Sequence, residues 1–72
     1  MIPDINHPEW KDLITGKIKP NISSFSLQMK LNTLIKTYSN NLISIEGAIK
    51  DLYEMCVRYE KIYKADLDKI FN

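Results

Sequence analysis

A length of 72 residues, with 44% hydrophobic and 26% charged residues, is typical of one small globular domain, and we predict a single helical domain over 1–72. A chain this short buries only about 60% of the surface that its unfolded form exposes, so it needs a further source of stability. One cysteine and one histidine exclude an internal disulfide and a cysteine/histidine zinc site, and the net charge of +1 gives no overall attraction to nucleic acid. Association with a second copy or with another protein is therefore the expected source of the additional stability.

The first predicted helix covers residues 8–15. A polar cap in the stretch Asn6-His7, a proline at the first helical position and a stop at Gly16 are typical of a short helix. One apolar face follows the i, i+3, i+4 spacing and comprises Trp10, Leu13 and Ile14. Residues 17–23 follow as a loop, because Pro20 removes a backbone donor and disfavours helix at the residue before it.

The second predicted helix covers residues 24–38, although its first part also fits a strand. Apolar and polar residues alternate between 24 and 30, which is strand periodicity, whereas the leucines from Leu27 onward have helical spacing. A lone strand needs a partner strand, and no other stretch of the chain supplies one. Because Leu, Met, Gln and Lys also favour helices, we predict a helix that ends at the turn residues Ser39, Asn40 and Asn41.

The third predicted helix, over residues 45–71, has the clearest pattern. Ser44 is a suitable N-cap, Glu46 lies in the first turn, and no proline interrupts the stretch. The centre of its apolar face follows steps of three and four: Ile45, Ile49, Leu52, Cys56, Tyr59, Tyr63, Leu67 and Ile70. Apolar shoulders widen this face well beyond the roughly 100° that one packing partner requires, so the helix is expected to contact neighbours on two sides.

These elements predict an all-α fold, in which a short N-terminal helix packs on an antiparallel αα-hairpin with a long C-terminal helix. At about 1.5 Å per residue the last helix would be roughly 40 Å long and the second roughly 22 Å, so the second covers the last only to about Tyr59. The first helix covers part of the remainder and a second chain covers the rest. We therefore predict a three-helix unit that dimerises along the long helix.

The predicted interface consists of apolar side chains outside these packing faces. Tyr59 and Tyr63 are expected in the core with their hydroxyls reaching solvent, whereas Tyr53 and Val57 lie on a shoulder of the long helix. The predicted interface residues are Phe25, Met29, Tyr53, Met55, Val57, Ile62 and Phe71.

The sequence contains no arrangement typical of a catalytic or metal site. His7 adjoins a helix start, where capping or solvent exposure is expected, and Cys56 lies on an apolar face, where a cysteine is typically buried and inert. No second histidine or cysteine can complete a nucleophilic pair, and no Gly-rich phosphate loop is present. We predict a non-enzymatic protein with no metal, no cofactor and no small-molecule substrate.

The expected location is the cytoplasm. The first residues lack the basic and apolar pattern of a secretory signal, and no apolar run approaches the roughly 18 residues that span a bilayer. A single cysteine suits a reducing compartment. We therefore expect no membrane partner, and a function through self-association, as a homodimer, or through docking on another protein.

A basic middle segment supports an alternative function. Residues 17–41 contain no acidic residue, and four lysines are candidate contacts for an anionic partner: Lys17, Lys19, Lys30 and Lys36. If residues 22–30 formed a strand paired between two chains, the arrangement would resemble the ribbon–helix–helix family of DNA-binding regulators. Two features count against nucleic acid as a partner: the helices fit that template poorly in length, and the segment has no arginine, the commonest base-reading side chain.

Overall fold

Helix α1 spans Pro8–Thr15 in the computed structural model, which describes residues 2–71. Nδ1 of His7 accepts a hydrogen bond from the backbone N–H of Glu9 at 3.2 Å, so His7 is the N-cap. Gly16 ends the helix with a φ of 79°, a left-handed conformation that glycine adopts without steric cost. Both ends of α1 are therefore determined by residues within the segment, as predicted.

Helix α2 spans Phe25–Ser39, which decides between helix and strand for this segment. Its three leucines, Leu27, Leu31 and Leu34, are all buried, because a helical period places them on one face. The strand proposed over 22–30 is therefore wrong from Phe25 onward. The all-helical prediction is confirmed, since residues 2–71 form four helices and no strand.

The end of α2 follows the turn chemistry of its last residues. Asn41 has a φ of 61°, and its N–H bonds to the carbonyl oxygen of Tyr38 at 3.0 Å. The N–H of Leu42 bonds to the carbonyl oxygen of Thr37 at 3.0 Å. These two bonds form a Schellman motif with asparagine in the left-handed position, so the helix ends within one residue of the predicted end.

The predicted single helix over 45–71 is wrong, because the segment forms two helices, α3 (Ile45–Arg58) and α4 (Glu60–Phe71). They meet at Tyr59, which has a φ of −115° and a ψ of 31°. The N–H of Ile62 bonds to the carbonyl oxygen of Tyr59 at 3.0 Å, three residues back. A straight helix over 45–71 would be about 40 Å long, whereas the described body measures 31 × 24 × 21 Å. The predicted three-helix unit is therefore a compact four-helix fold.

Polar contacts hold α4 against the start of α2. The Asp66 carboxylate accepts hydrogen bonds from the backbone N–H groups of Ser23 at 2.8 Å and Ser24 at 2.9 Å. The Tyr63 hydroxyl forms a hydrogen bond of 2.7 Å with the Ser26 hydroxyl. These contacts connect α4 to residues about 40 positions earlier, and within one chain they require the bend at Tyr59.

An aromatic cluster connects α4 to α1 and α3. The Trp10 ring lies 4.7 Å from the Phe71 ring and 5.4 Å from the Tyr53 ring, measured between centroids. Its Nε1–H donates a hydrogen bond of 3.0 Å to the carbonyl oxygen of Asp4. Around Trp10 the core comprises buried residues from all four helices: Trp10, Leu13, Ile14, Leu27, Leu31, Leu34, Ala48, Leu52, Cys56, Tyr63 and Leu67. The far end of the predicted long helix is thus covered within the chain by α1.

Candidate interaction surface

The bend at Tyr59 exposes a group of large apolar side chains, which we call the kink surface: Val57, Tyr59 and Ile62. Their exposed fractions are 47%, 40% and 71%, respectively. A shallow groove runs along this part of the chain and is lined by Val57, Arg58, Tyr59, Glu60, Lys61, Ile62 and Lys64. Because α4 turns toward α1 and α2, no element of the described chain covers these three side chains.

The two tyrosines that were predicted in the core differ in environment. Tyr63 is buried, as predicted, and its hydroxyl bonds to Ser26, which is exposed. Tyr59 is exposed, so its predicted burial is wrong, because it lies at the bend, outside both helices. The two rings meet edge to face, 6.0 Å apart between centroids, so the exposed Tyr59 ring rests on the buried one.

A second exposed apolar pair lies on the outer face of α2. Phe25 is 77% exposed and Met29, one turn later, is 48% exposed. Both were predicted as interface residues because they face away from Leu31. Ser26, the neighbour of Phe25, bonds to Tyr63 of α4, so this pair lies beside the line where α2 meets α4.

The seven predicted interface residues differ in exposure. Phe25 and Met29 of α2, together with Val57 and Ile62 beside the bend, are exposed. The other three, Tyr53, Met55 and Phe71, are partly buried and pack against the core. The rings of Tyr53 and Phe71 have Trp10 as their common partner, so they stabilise the chain's own fold.

The four lysines that were predicted as contacts for an anionic partner have different environments. Lys17, Lys19 and Lys36 are exposed. Lys30 forms an ion pair of 3.1 Å with Asp51, which connects the middle of α2 to α3. One of the four lysines, Lys30, is therefore paired within the chain.

Asp66 is the residue that sequence reasoning missed. It lies three residues after Tyr63 and four before Ile70, within the apolar face of α4, and it is 3% exposed. Burial acts to raise the pKa of its carboxyl, but the N–H groups of Ser23 and Ser24 outweigh that effect, so the pKa is lower than its ordinary value. A lone acidic residue within an apolar stripe was the available signal, since a buried carboxylate requires hydrogen-bond partners.

Charged residues of both signs border the kink surface. Arg58, Glu60 and Lys61 are exposed around it. Lys64 bonds to Asp68 at 2.9 Å, and this hydrogen bond raises the pKa of the Lys64 ammonium and lowers the pKa of the Asp68 carboxyl. An apolar patch with a rim of mixed charge is the usual anatomy of a protein–protein contact.

Cys56 is a core residue. It is 1% exposed, and burial raises the pKa of its thiol to about 12. The thiolate, which is the nucleophilic and metal-binding form, is therefore not populated near neutral pH. Within residues 2–71 no group of three or more His, Cys, Asp or Glu side chains is arranged to hold a metal ion.

Neither a membrane segment nor a known relative indicates the function. None of the four described helices has the length and apolar character needed to cross a membrane. Comparisons with protein-family models, with curated proteins and with solved structures found no match to this chain.

Proposed function

We propose that this chain is a non-enzymatic helical interaction module that associates with a second copy of itself through the kink surface. The observation that supports the proposal most strongly is Ile62, which is 71% exposed beside two further exposed apolar residues, Val57 and Tyr59. Large apolar side chains that are grouped on the surface of a small domain typically mark a contact site. Tyrosine is also enriched at the energetic centres of such contacts.

Because the chain is small, association is expected to contribute a large share of its stability. A domain of this length has a small core and is only marginally stable as a monomer. Covering a side chain such as Val57 or Ile62 contributes about 1.5–3 kcal/mol when the burial is complete. A two-fold interface uses the same patch on both copies, so Val57 and Ile62 of each copy are buried in it.

The charges around the kink surface are compatible with a two-fold contact. Arg58 and Lys61 carry positive charge and Glu60 carries negative charge within the same short stretch. In a two-fold dimer, Glu60 of one copy can lie opposite Arg58 or Lys61 of the other, which sets the orientation of the two chains. We also infer a cytoplasmic location, which the single free cysteine supports.

Sedimentation velocity on the wild type and two variants tests the proposal. We expect a concentration-dependent dimer for the wild type at micromolar concentration, and a monomer for Ile62→Glu, because the substitution places a charge in the apolar contact. Leu42→Glu is the matched control, since Leu42 is 76% exposed but lies in the connection between α2 and α3. Circular dichroism establishes that each variant retains its helices.

Two results would contradict parts of the proposal. A wild type that sediments as a monomer at every concentration would exclude self-association and favour docking on another protein. A dimer that Ile62→Glu leaves intact would exclude the kink surface as the contact. The outer face of α2 would then be tested with Met29→Glu.

A further inference from the structure

We propose that two copies of this chain exchange α4, so that α3 and α4 form one continuous helix and each α4 packs on α1 and α2 of the other copy. Such an exchange presupposes the self-association proposed above, and it specifies how the two chains are joined. The partner is a second copy, because every contact that α4 needs is already present on this chain.

The residues around Tyr59 favour a continuous helix. No glycine or proline occurs between residues 48 and 71. The apolar positions continue across the bend in steps of three and four, from Cys56 to Tyr59 and then to Tyr63. At Tyr59 the sequence therefore favours a continuous helix, whereas the contacts of α4 within a single chain require a bend. An exchanged dimer allows both the continuous helix and these contacts.

Backbone hydrogen bonding also favours the continuous form. Across the bend, the described chain retains the bond from the N–H of Tyr59 to the carbonyl oxygen of Met55, at 3.0 Å. The N–H groups of Glu60 and Lys61 form no such bond to a carbonyl oxygen of α3 among residues 2–71. A straight helix would supply these missing bonds, since each N–H then meets the carbonyl oxygen four residues earlier.

The contacts that hold α4 can be transferred to another copy. Asp66 bonds to the backbone at Ser23 and Ser24, and Phe71 packs on Trp10. All these partners precede α3 in the chain, so an α4 from a second copy meets the same groups. A straight helix over 45–71 would be about 40 Å long, longer than the 31 Å body, so its far end extends beyond its own core.

Exchange explains the position of the exposed apolar residues. In an exchanged dimer α4 makes the same contacts as in the monomer, but with the other copy. Only the residues around Tyr59, which form the hinge of the exchange, acquire new neighbours. The two hinges approach each other near the two-fold axis, and the kink surface lies at the hinge: Val57, Tyr59 and Ile62. These side chains are exposed in the single chain and become covered in the exchanged dimer. A short hinge of this kind is also the usual setting for exchange.

The decisive experiment uses two ring contacts of Trp10. Equal amounts of isotope-labelled and unlabelled chain are refolded together at high concentration, and isotope-filtered nuclear Overhauser effects are recorded on the dimer. We expect the contact between Trp10 and Phe71 to run between chains, because Phe71 belongs to α4. The contact between Trp10 and Tyr53 should stay within one chain, because neither α1 nor α3 is exchanged.

The outcomes separate this inference from the proposed function. A dimer in which both ring contacts stay within one chain would overturn the exchange and leave self-association through the kink surface intact. Absence of any dimer would overturn the exchange and the proposed self-association together. A dimer in which the Trp10–Phe71 contact runs between chains supports both.

A pair of variants at Glu60 provides an independent test. Glu60 is the first residue of α4 in the single chain but would lie in the middle of a straight helix, where glycine costs about 1 kcal/mol relative to alanine. Since the dimer contains two such helices, Glu60→Gly should weaken the dimer by about tenfold or more, while the control Glu60→Ala should leave it within a few-fold of wild type. Equal dimerisation of the two variants, both folded by circular dichroism, would overturn the exchange.

Discussion

The carboxylate of Asp66 accepts a hydrogen bond of 2.9 Å from the backbone N–H of Ser24, 42 positions earlier in the chain. Ser24 is the N-cap of α2, but its own side chain forms no capping bond. Asp66 therefore supplies a negative charge at the start of α2, where the helix dipole favours it. The same bond connects α4 to the start of α2.

Asp66→Asn should lower the free energy of unfolding by about 1–3 kcal/mol at pH 7, because one of the two buried hydrogen bonds is lost and the other is no longer charge-assisted. An asparagine also directs an NH₂ group toward one of the two backbone donors. Urea denaturation followed by circular dichroism measures the difference. Asp51→Asn is the control: it breaks the half-exposed pair with Lys30 and should cost less than about 1 kcal/mol.

The stabilisation from Asp66 should also depend on pH. The pKa of its carboxyl is lower in the folded chain than its ordinary value, so the folded state favours the charged form. This contribution is complete above the unfolded pKa of about 4, and it is lost as the pH falls through the lowered folded value. The difference between wild type and Asp66→Asn should therefore be constant above about pH 5 and shrink below about pH 4. A difference that persists unchanged at pH 2 would contradict this account.

Tyr63→Phe should destabilise the chain by about 1 kcal/mol, because it removes the hydroxyl that bonds to Ser26 at 2.7 Å and leaves the ring in place. Thermal unfolding followed by circular dichroism is sufficient to detect this change. Tyr59→Phe is the matched control, because the Tyr59 ring is 40% exposed and its hydroxyl forms no hydrogen bond within residues 2–71. Equal losses in the two variants would show that the Ser26 bond does not stabilise α4.

Trp10 should be the most sensitive core position. It is fully buried, and its ring contacts both Tyr53 and Phe71. Trp10→Ala should cost about 3–5 kcal/mol, which is most of the stability of a domain this small. Trp10→Phe keeps much of the apolar volume but loses the bond to the Asp4 carbonyl oxygen, so a smaller loss of about 1–3 kcal/mol is expected. Because Trp10 is the only tryptophan, the measurement uses circular dichroism and not fluorescence.

Cys56 should resist thiol reagents while the chain is folded. Burial raises the pKa of its thiol to about 12, so both access and thiolate formation are limited. A chromogenic disulfide reagent at pH 8 should react with Cys56 at the rate of global unfolding, and rapidly in urea. Fast modification of the folded protein would mean that the core opens locally around α3.

Local signals predicted most of the helix ends. His7, Pro8 and Gly16 define α1, and Ser44 caps α3 by accepting a hydrogen bond from the N–H of Gly47 at 3.0 Å. Each of these residues acts on backbone groups only a few positions away. A reading of the sequence can therefore identify them without knowing the tertiary fold.

The break at Tyr59 could not be predicted in the same way. No helix-breaking residue accompanies it, and the apolar spacing is continuous. The cause is tertiary: Asp66 and Phe71 reach partners that lie before α3 in the chain. The candidate site depends on this break, so Val57 and Ile62 were predicted from their shoulder positions, whereas the exposure of Tyr59 was missed.

A dilution series of amide ¹H–¹⁵N spectra is the sharpest test of whether copies of the chain associate through the kink surface. We expect concentration-dependent shifts, or a second set of signals in slow exchange, that are concentrated at Val57, Tyr59 and Ile62 and their neighbours. Residues of the α2–α3 connection around Leu42 should stay unchanged. Spectra that superimpose from micromolar to millimolar concentration, or changes that avoid residues 57–62, would contradict it.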